Sequence, residues 1–317
     1  MTRAVRVVDL AHGATAAEWM ALSCAAHWNQ TEDDWRAMLA LGRGWGLRGA
    51  DPDTGRDTLV ASTLVLPYRE PFAGARSGSG FAWISMVLVL PEWRGRGFAE
   101  RLLRVALDHL AAARLRPVLD ATPAGRPVYA KLGFVEGWPF TRWRRRFAPS
   151  SVPPAAGEGT GEAAGVCRRL RQDDWTAIGR LDTPAFGADR TALLAGLAQR
   201  LPAAAWVAAD AEGLHGYLLG RDGRTALQLG PLVTAAANDE ACAMRLLDAA
   251  IGPVARLAAA RGLDVIADVR DGCASLAQGL RQHGFAAERP FVRMVHGAAA
   301  APGDAARIML PAGPELG

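Results

Sequence analysis

Six residues, Arg94-Gly95-Arg96-Gly97-Phe98-Ala99, hold the parts of an anion site. They join an apolar run, VLVLP, to a segment with helical periodicity. The first amides of a helix have no acceptor within it and carry partial positive charge. Glycines at 95 and 97 remove side chains that would hold a ligand off the backbone. Arg94 and Arg96 add cationic donors. This set suits a phosphate or pyrophosphate. The spacing matches neither the Gly-x-Gly-x-x-Gly dinucleotide fingerprint nor a P-loop, which would continue Gly-Lys-Ser/Thr. For the hexapeptide alone, a tight solvated turn is the competing reading.

The elements that must position this turn are legible around it. Residues 57–68 and 80–90 read as strands separated by a glycine-rich turn. A helix follows over 98–114, with Leu102, Leu103, Ala106, Leu110 and Ala113 on one face. Residues 117–122 read as a strand and 126–133 as a short helix with proline near its start and glycine at its end. Upstream, 5–10 reads as a strand, and 15–28 and 31–42 as helices. Thr31 and Asp34 form a variant capping pair. FVEGWPFTRWRRRF, from Phe134, reads as extended chain.

The segment from this strand to Phe134 resembles the GNAT superfamily of acyl-CoA-dependent N-acetyltransferases. The resemblance rests on VLVLP, Arg94-x-x-Gly97-x-Ala99, the long helix, the next strand and VYAKLGF, and it spans about residues 5–147. It implies an α/β fold with a mixed sheet, a loop from Arg94 to Ala99 that binds the coenzyme A pyrophosphate, and main-chain groups of Val87, Leu88 and Val89 facing the pantetheine arm. It places Tyr129 as the acid that protonates the departing thiolate. Two positions depart from the family. Thr122 stands where an asparagine often touches the cofactor, and AWISMV lacks the glutamate that often serves as general base.

The stretch 149–165, PSSVPPAAGEGTGEAAG, has no large apolar residue and reads as a linker. It separates a first domain, 1–148, from a second, 166–317. The second repeats the order of the first. Arg101-Leu102-Leu103 matches Arg245-Leu246-Leu247 at an offset of 144, and Gly133-Phe134 matches Gly284-Phe285 at 151. The seven extra residues fall between the long helix and the short one. At the first offset Arg94-Gly95-Arg96-Gly97 becomes Asn238-Asp239-Glu240-Ala241. Carboxylates there suit the helix dipole and repel a pyrophosphate. Tyr129 becomes Leu280. The expectation is two tandem GNAT-like domains, each a mostly antiparallel sheet flanked by helices, with a degenerate second copy like that of some bacterial tandem proteins.

Acyl transfer to an amine needs a neutral nucleophile, and an alkylammonium with a pKa of ~10 is protonated at neutral pH. Asp120, on the strand after the long helix, is the first candidate to take that proton; its competing role is to brace the DATP turn. His27 and Asp34 border the acceptor side in the family but read as surface residues. A tyrosine at ~10 can donate to a thiolate whose thiol titrates near ~8.5. Its competing role is a core aromatic. Trp19, Trp28 and Trp35 read as core, with an aromatic acceptor pocket as the alternative.

Bulk composition narrows the function. The 36 basic and 32 acidic residues leave +4, too mild to imply nucleic acid. RWRRRF, Arg142 to Phe147, alternates like a terminal edge strand with one solvated face. Four scattered cysteines show no zinc spacing and no disulfide framework, so no metal is expected. No long apolar run predicts a membrane span and no leader pattern is visible, which reads as cytoplasmic. The resulting expectation is an N-acetyltransferase using acetyl-CoA and a small-molecule amine, by direct transfer through a tetrahedral intermediate. A non-catalytic acyl-CoA sensor and a protein acetyltransferase are the alternatives.

Overall fold

The computed structural model describes residues 5–51, 54–69, 80–147, 166–298 and 300–317. The proposed linker, 149–165, and most of the glycine-rich turn after residue 69 lie outside them. The first half runs β1 (Val5–Asp9), α1 (Leu10–Gly13), α2 (Ala16–Ala25), α3 (Glu32–Leu41), β2 (Arg43–Ala50), β3 (Asp57–Arg69), β4 (Gly80–Val89), α4 (Phe98–Ala113), β5 (Arg116–Ala121), α5 (Arg126–Lys131) and β6 (Phe134–Arg145). The second runs β7 (Val166–Arg169), α6 (Trp175–Phe186), α7 (Thr191–Arg200), β8 (Trp206–Asp210), β9 (Gly213–Arg221), β10 (Ala226–Thr234), α8 (Glu240–Arg261), β11 (Asp264–Arg270), α9 (Ala274–Gln282), β12 (Ala286–His296) and β13 (Ile308–Leu310). The two halves are mixed α/β units of the same plan, with sheets flanked by helices.

Local chemistry explains the helices. Thr15 with Glu18, and Thr31 with Asp34, close capping boxes at the starts of α2 and α3. The buried face of α4 is Leu102, Leu103, Ala106 and Leu110. Most of the second half's extra length lies in α8, which has 22 residues against 16 in α4.

The sheet order is β1-β2-β3-β4-β5-β12-β6-β11-β10-β9-β8-β7, with β13 also paired to β10. Among the described residues, only β4·β5 and β10·β11 are parallel. Each half gives its last long strand to the other. β12 pairs with β5, β6 pairs with β11, and β6 and β12 pair with each other at the centre. The two sheets therefore continue into one another.

This exchange corrects the reading of RWRRRF. The strand is central, with neighbours on both sides. Arg142 is buried and holds Asp268 bidentately at 2.8 and 2.7 Å. Arg144 holds Asp264 and Glu288. A strand rich in arginine tolerates this place because the neighbouring strands and their turns supply the carboxylates. The reciprocal pair is Arg293 on β12 with Asp120 on β5, at 2.9 and 3.0 Å. Three elements had no signal in the sequence: α1, β2 and β13. The residues of β2, RGWGLRGA, carry three glycines, and Gly46 is needed because a Cβ would lie 2.5 Å from Leu59 Cδ1. The short β13 is recruited by β10 rather than by its own pattern.

One apolar cluster joins the halves on the α2, α3, α6 and α7 side, with Trp35, Trp83, Tyr68 and Phe186 at its centre. α4 and α8 each cover their own half's sheet with a separate cluster.

Candidate active site

The turn before α4 has the geometry of an anion cradle. Gly95 and Gly97 have φ of 74° and 75°, in the left-handed region. A Cβ built on either meets nothing within 4 Å. The Arg94 amide donates to Pro91 O at 3.2 Å, and the next amide with an acceptor is that of Arg101, which donates to Gly97 O at 2.9 Å. Among the described residues, no amide from Gly95 to Glu100 donates to a protein group. Gly97 offers no side-chain cap. Phe98 and Ala99 open the helix with their amides outward. The two arginines are exposed and folded back. Arg94 Nε donates to Val89 O at 3.2 Å, and Arg96 Nη2 donates to Glu92 O at 3.1 Å while its guanidinium lies over Trp93.

Below the cradle the sheet splits. β4 and β5 pair only at Phe81–Trp83 with Arg116–Val118 and then diverge. Met86 has φ of 51°, where the register with β3 shifts, and Ser62 Oγ donates to its carbonyl at 2.7 Å. The β5-facing edge of residues 84–89 has no strand partner among the described residues. Leu88 points into the core, so only its main chain could serve a ligand. The opening leads into a pocket whose walls include Ser85, Met86, Val87 and Thr122.

Tyr129 stands on this pocket. Its ring packs so closely on Gly125 that a Cβ there would lie 2.7 Å from Cε2. Phe134 meets it edge-on at 6.0 Å. Its hydroxyl has no protein partner among the described residues. Burial pushes the phenol up to about 12. Thr122 Oγ1 accepts from Gly125 N at 3.2 Å, so it braces the turn that carries α5. Asp120 lines the same pocket with both oxygens on Arg293. Burial raises its pKa, against the pull of Arg293.

The far wall comes from unexpected places. Arg289 and Phe291 reach it on the exchanged strand β12, and Pro314 and Glu315 reach it from the segment after β13. That segment is held by Trp83 Nε1 donating to Pro314 O (2.9 Å) and Tyr68 donating to Leu316 O (3.1 Å). Glu315 is ion-paired with Arg221. Trp28, Asn29 and Gln30 supply the roof. Asn29 docks it on the second half, taking Thr225 N and Ala226 N (2.9 Å each) and donating to Ala226 O (3.0 Å). Only Trp28 was signalled by the sequence. Trp19 and Trp35 stack in the core, with centroids 6.2 Å apart.

Asp34 is not the surface residue expected. It is buried between Arg221 (2.9 Å) and Arg200 (2.7 Å). Burial opposes its charge, but the two guanidiniums hold its carboxyl below the usual range. His27 is exposed and apart from the pocket. Among the described residues no group of His, Cys, Asp or Glu could hold a metal ion.

The second half closes the equivalent opening with its own chain. β10 and β11 pair over Ala226–Leu229 and Asp264–Ala267. β13 then takes the β10 edge, Leu310 beside Leu232 and Ile308 beside Val233. Asn238 N donates to Ala306 O at 2.7 Å. Asp239 caps Cys242 N at 2.9 Å, and Glu240 accepts from Ser275 N and Leu276 N. The residues aligned with the cradle are thus consumed by internal bonds.

Residues 18–134 match the model of the Acetyltransferase (GNAT) family, and residues 178–309 that of an Acetyltransferase (GNAT) domain. No curated protein is matched by the sequence. Among solved structures, a protein assigned as an acetyltransferase from Pyrococcus horikoshii aligns with a TM-score of 0.66 at 16% identity, over 99% of this chain and 96% of that one. A tandem GNAT protein from the clavulanic acid biosynthesis pathway gives 0.60 at 17%, over 95% and 100%. A GCN5-related N-acetyltransferase from Sphaerobacter thermophilus gives 0.58 at 13%, over 94% and 97%. At these identities the likeness is one of fold.

Proposed function

The chain belongs to the GNAT acetyltransferase superfamily, as a tandem member, and on that premise we propose that its first half is an acetyl-CoA-dependent N-acetyltransferase acting on a small-molecule amine. The observation that carries this reading is the open cradle at Gly95–Gly97 joined by the β4/β5 split to the pocket holding Tyr129. The amides of residues 95–100 suit the coenzyme diphosphate, with Arg94 and Arg96 free to swing onto it. Main-chain groups of Val87 and Val89 face the pantetheine arm. When bound, the thioester supplies an activated acetyl group.

The protein's own residues then manage protons. Asp120 receives the proton from the acceptor ammonium. Each of its oxygens keeps a lone pair beyond the bond to Arg293, and burial makes it a stronger base than a solvated aspartate. Tyr129 gives its free hydroxyl proton to the departing sulfur. Burial keeps the phenol protonated at any physiological pH but also makes it a weaker acid, so it serves first as a hydrogen-bond donor to the sulfur and yields its proton only as the C–S bond breaks.

The second half acts as a wall. Arg289, Phe291, Pro314 and Glu315 enclose the acceptor side, which favours a small molecule over a peptide laid in a groove. No helix among the described residues is long and apolar enough to cross a membrane. We place the enzyme in the cytoplasm, without membrane or nucleic-acid partners. Thiol release from acetyl-CoA across a panel of small amines and lysine peptides tests the reading. Amine-dependent release is expected with small amines; release with peptides alone would move the acceptor assignment to proteins, and coenzyme binding without any release would leave a sensor.

A further inference from the structure

Each buried carboxylate around the pocket holds an arginine, and among the described residues one arginine there makes no hydrogen bond to the protein. Asp120 holds Arg293, Asp268 holds Arg142, and Glu315 and Asp34 share Arg221. Arg289 is left over. Among the described residues its guanidinium donates to no protein group, and its Nε is sealed from solvent without an acceptor. The adjacent carboxylate, Glu288, is committed to Arg144.

Its surroundings sharpen the imbalance. In the β6·β12 register Arg289 stands opposite Arg142, like charge against like. Both guanidiniums lie near one ring, Phe291, at 4.8 and 5.2 Å from its centroid. Burial and the facing Arg142 oppose the charge of Arg289 more than the nearby Glu288 and Asp268 support it, and among the described residues no carboxylate bonds it directly. Across the same pocket Gln30 is 4% exposed, and its Oε1 has no donor. Among the described residues, the pocket thus offers a cation without a hydrogen-bond partner and an acceptor without a donor. A ligand that satisfies both has an anionic group and an N–H or O–H donor.

We propose that the acceptor is an amine bearing a carboxylate, an amino acid or a close relative, and that Arg289 binds that carboxylate while Gln30 takes a ligand N–H. This rests on the acetyltransferase reading for the identity of the amine as acceptor, but the binding chemistry stands on Arg289 and Gln30 alone. Bidentate carboxylate pairing is what a guanidinium does best, and stacking on Phe291 fixes its plane. Selectivity follows, because an amide or decarboxylated analogue would leave the cation unpaired.

The test uses calorimetry first and turnover second. The full chain is titrated with the common α-amino acids, their N-acetyl forms, the matching carboxamides and the matching aminophosphonates. Carboxylates are expected to bind, and Arg289→Met to weaken them by about thirtyfold or more while Arg289→Lys recovers part of the loss. Coenzyme A is titrated into the same variants and should bind with unchanged affinity, which also shows the fold intact. In turnover, the variant should lose kcat/KM for carboxylated acceptors and keep it for carboxamides. Equal binding of carboxamides and carboxylates by the wild type would overturn the proposal, as would tighter binding of phosphonates. Failure of coenzyme A to bind the wild type would instead count against the acetyltransferase reading, leaving the carboxylate titration to be judged by itself.

Discussion

Beyond Trp83 the edge of β4 stands open, and beyond Leu229 the edge of β10 is covered by β13. The two places share strand order, a parallel start and a helix that follows. They differ in what satisfies the backbone. In the first half the turn keeps its amides outward and the strand keeps an unpaired edge. In the second, Asp239, Glu240 and the strand Ile308–Leu310 take up the corresponding bonds. The place in the second half that corresponds to the cradle is therefore filled, not left as a gap. Unpaired main-chain groups need partners, and here the chain supplies them itself. By the same logic, the open edge in the first half is where we propose a ligand takes up those bonds.

The comparison can be stressed first at the exchanged strands. Asp120→Asn and Asp268→Asn each strip a carboxylate from a buried arginine, and denaturant unfolding should show losses of roughly 3–5 kcal/mol for each. Only Asp120→Asn should also change the pH dependence of kcat; identical pH profiles for the two variants would remove Asp120 from proton transfer. Next comes the cradle. Gly97→Glu places a carboxylate among the outward amides and strains a residue at φ 75°, so coenzyme A affinity should fall about 100-fold or more. Its mirror, Ala241→Glu on the second half, should leave affinity within about twofold.

Tyr129→Phe removes the donor and should lower kcat about 100-fold at unchanged coenzyme affinity. The pH response carries a sign. Because burial holds the phenol at about 12, the donor form persists above the ordinary tyrosine value of ~10. The wild-type rate should therefore not fall through pH 10, and a decline centred there would contradict the assignment. The smallest effect is expected from rebuilding the second loop with Asn238→Arg, Asp239→Gly, Glu240→Arg and Ala241→Gly. With β13 in place, calorimetry should still count one coenzyme A per chain.

Much of this was legible in the sequence because it is local. The Thr31–Asp34 cap, the buried face of α4, the glycines at 95 and 97 and the place of Tyr129 depend on neighbours within a few turns. The repeat was visible through Arg101-Leu102-Leu103 and Gly133-Phe134 and their later copies. What escaped is non-local. Alternation in RWRRRF looks the same in an edge strand as in a central one whose neighbours bring Asp268 and Glu288. Asp34 looks solvated until Arg200 and Arg221 arrive from the second half. Arg289 and Glu315 reach the pocket only through the exchanged β12 and the segment beyond β13, pairings made across more than a hundred residues of chain.

The most direct measurement is a crystal structure of the chain grown with coenzyme A. The account predicts one molecule per chain, its diphosphate on the amides of residues 95–100 and its arm along Val87–Val89 between β4 and β5. A diphosphate bound elsewhere, or a second molecule displacing β13 beside β10, would contradict it.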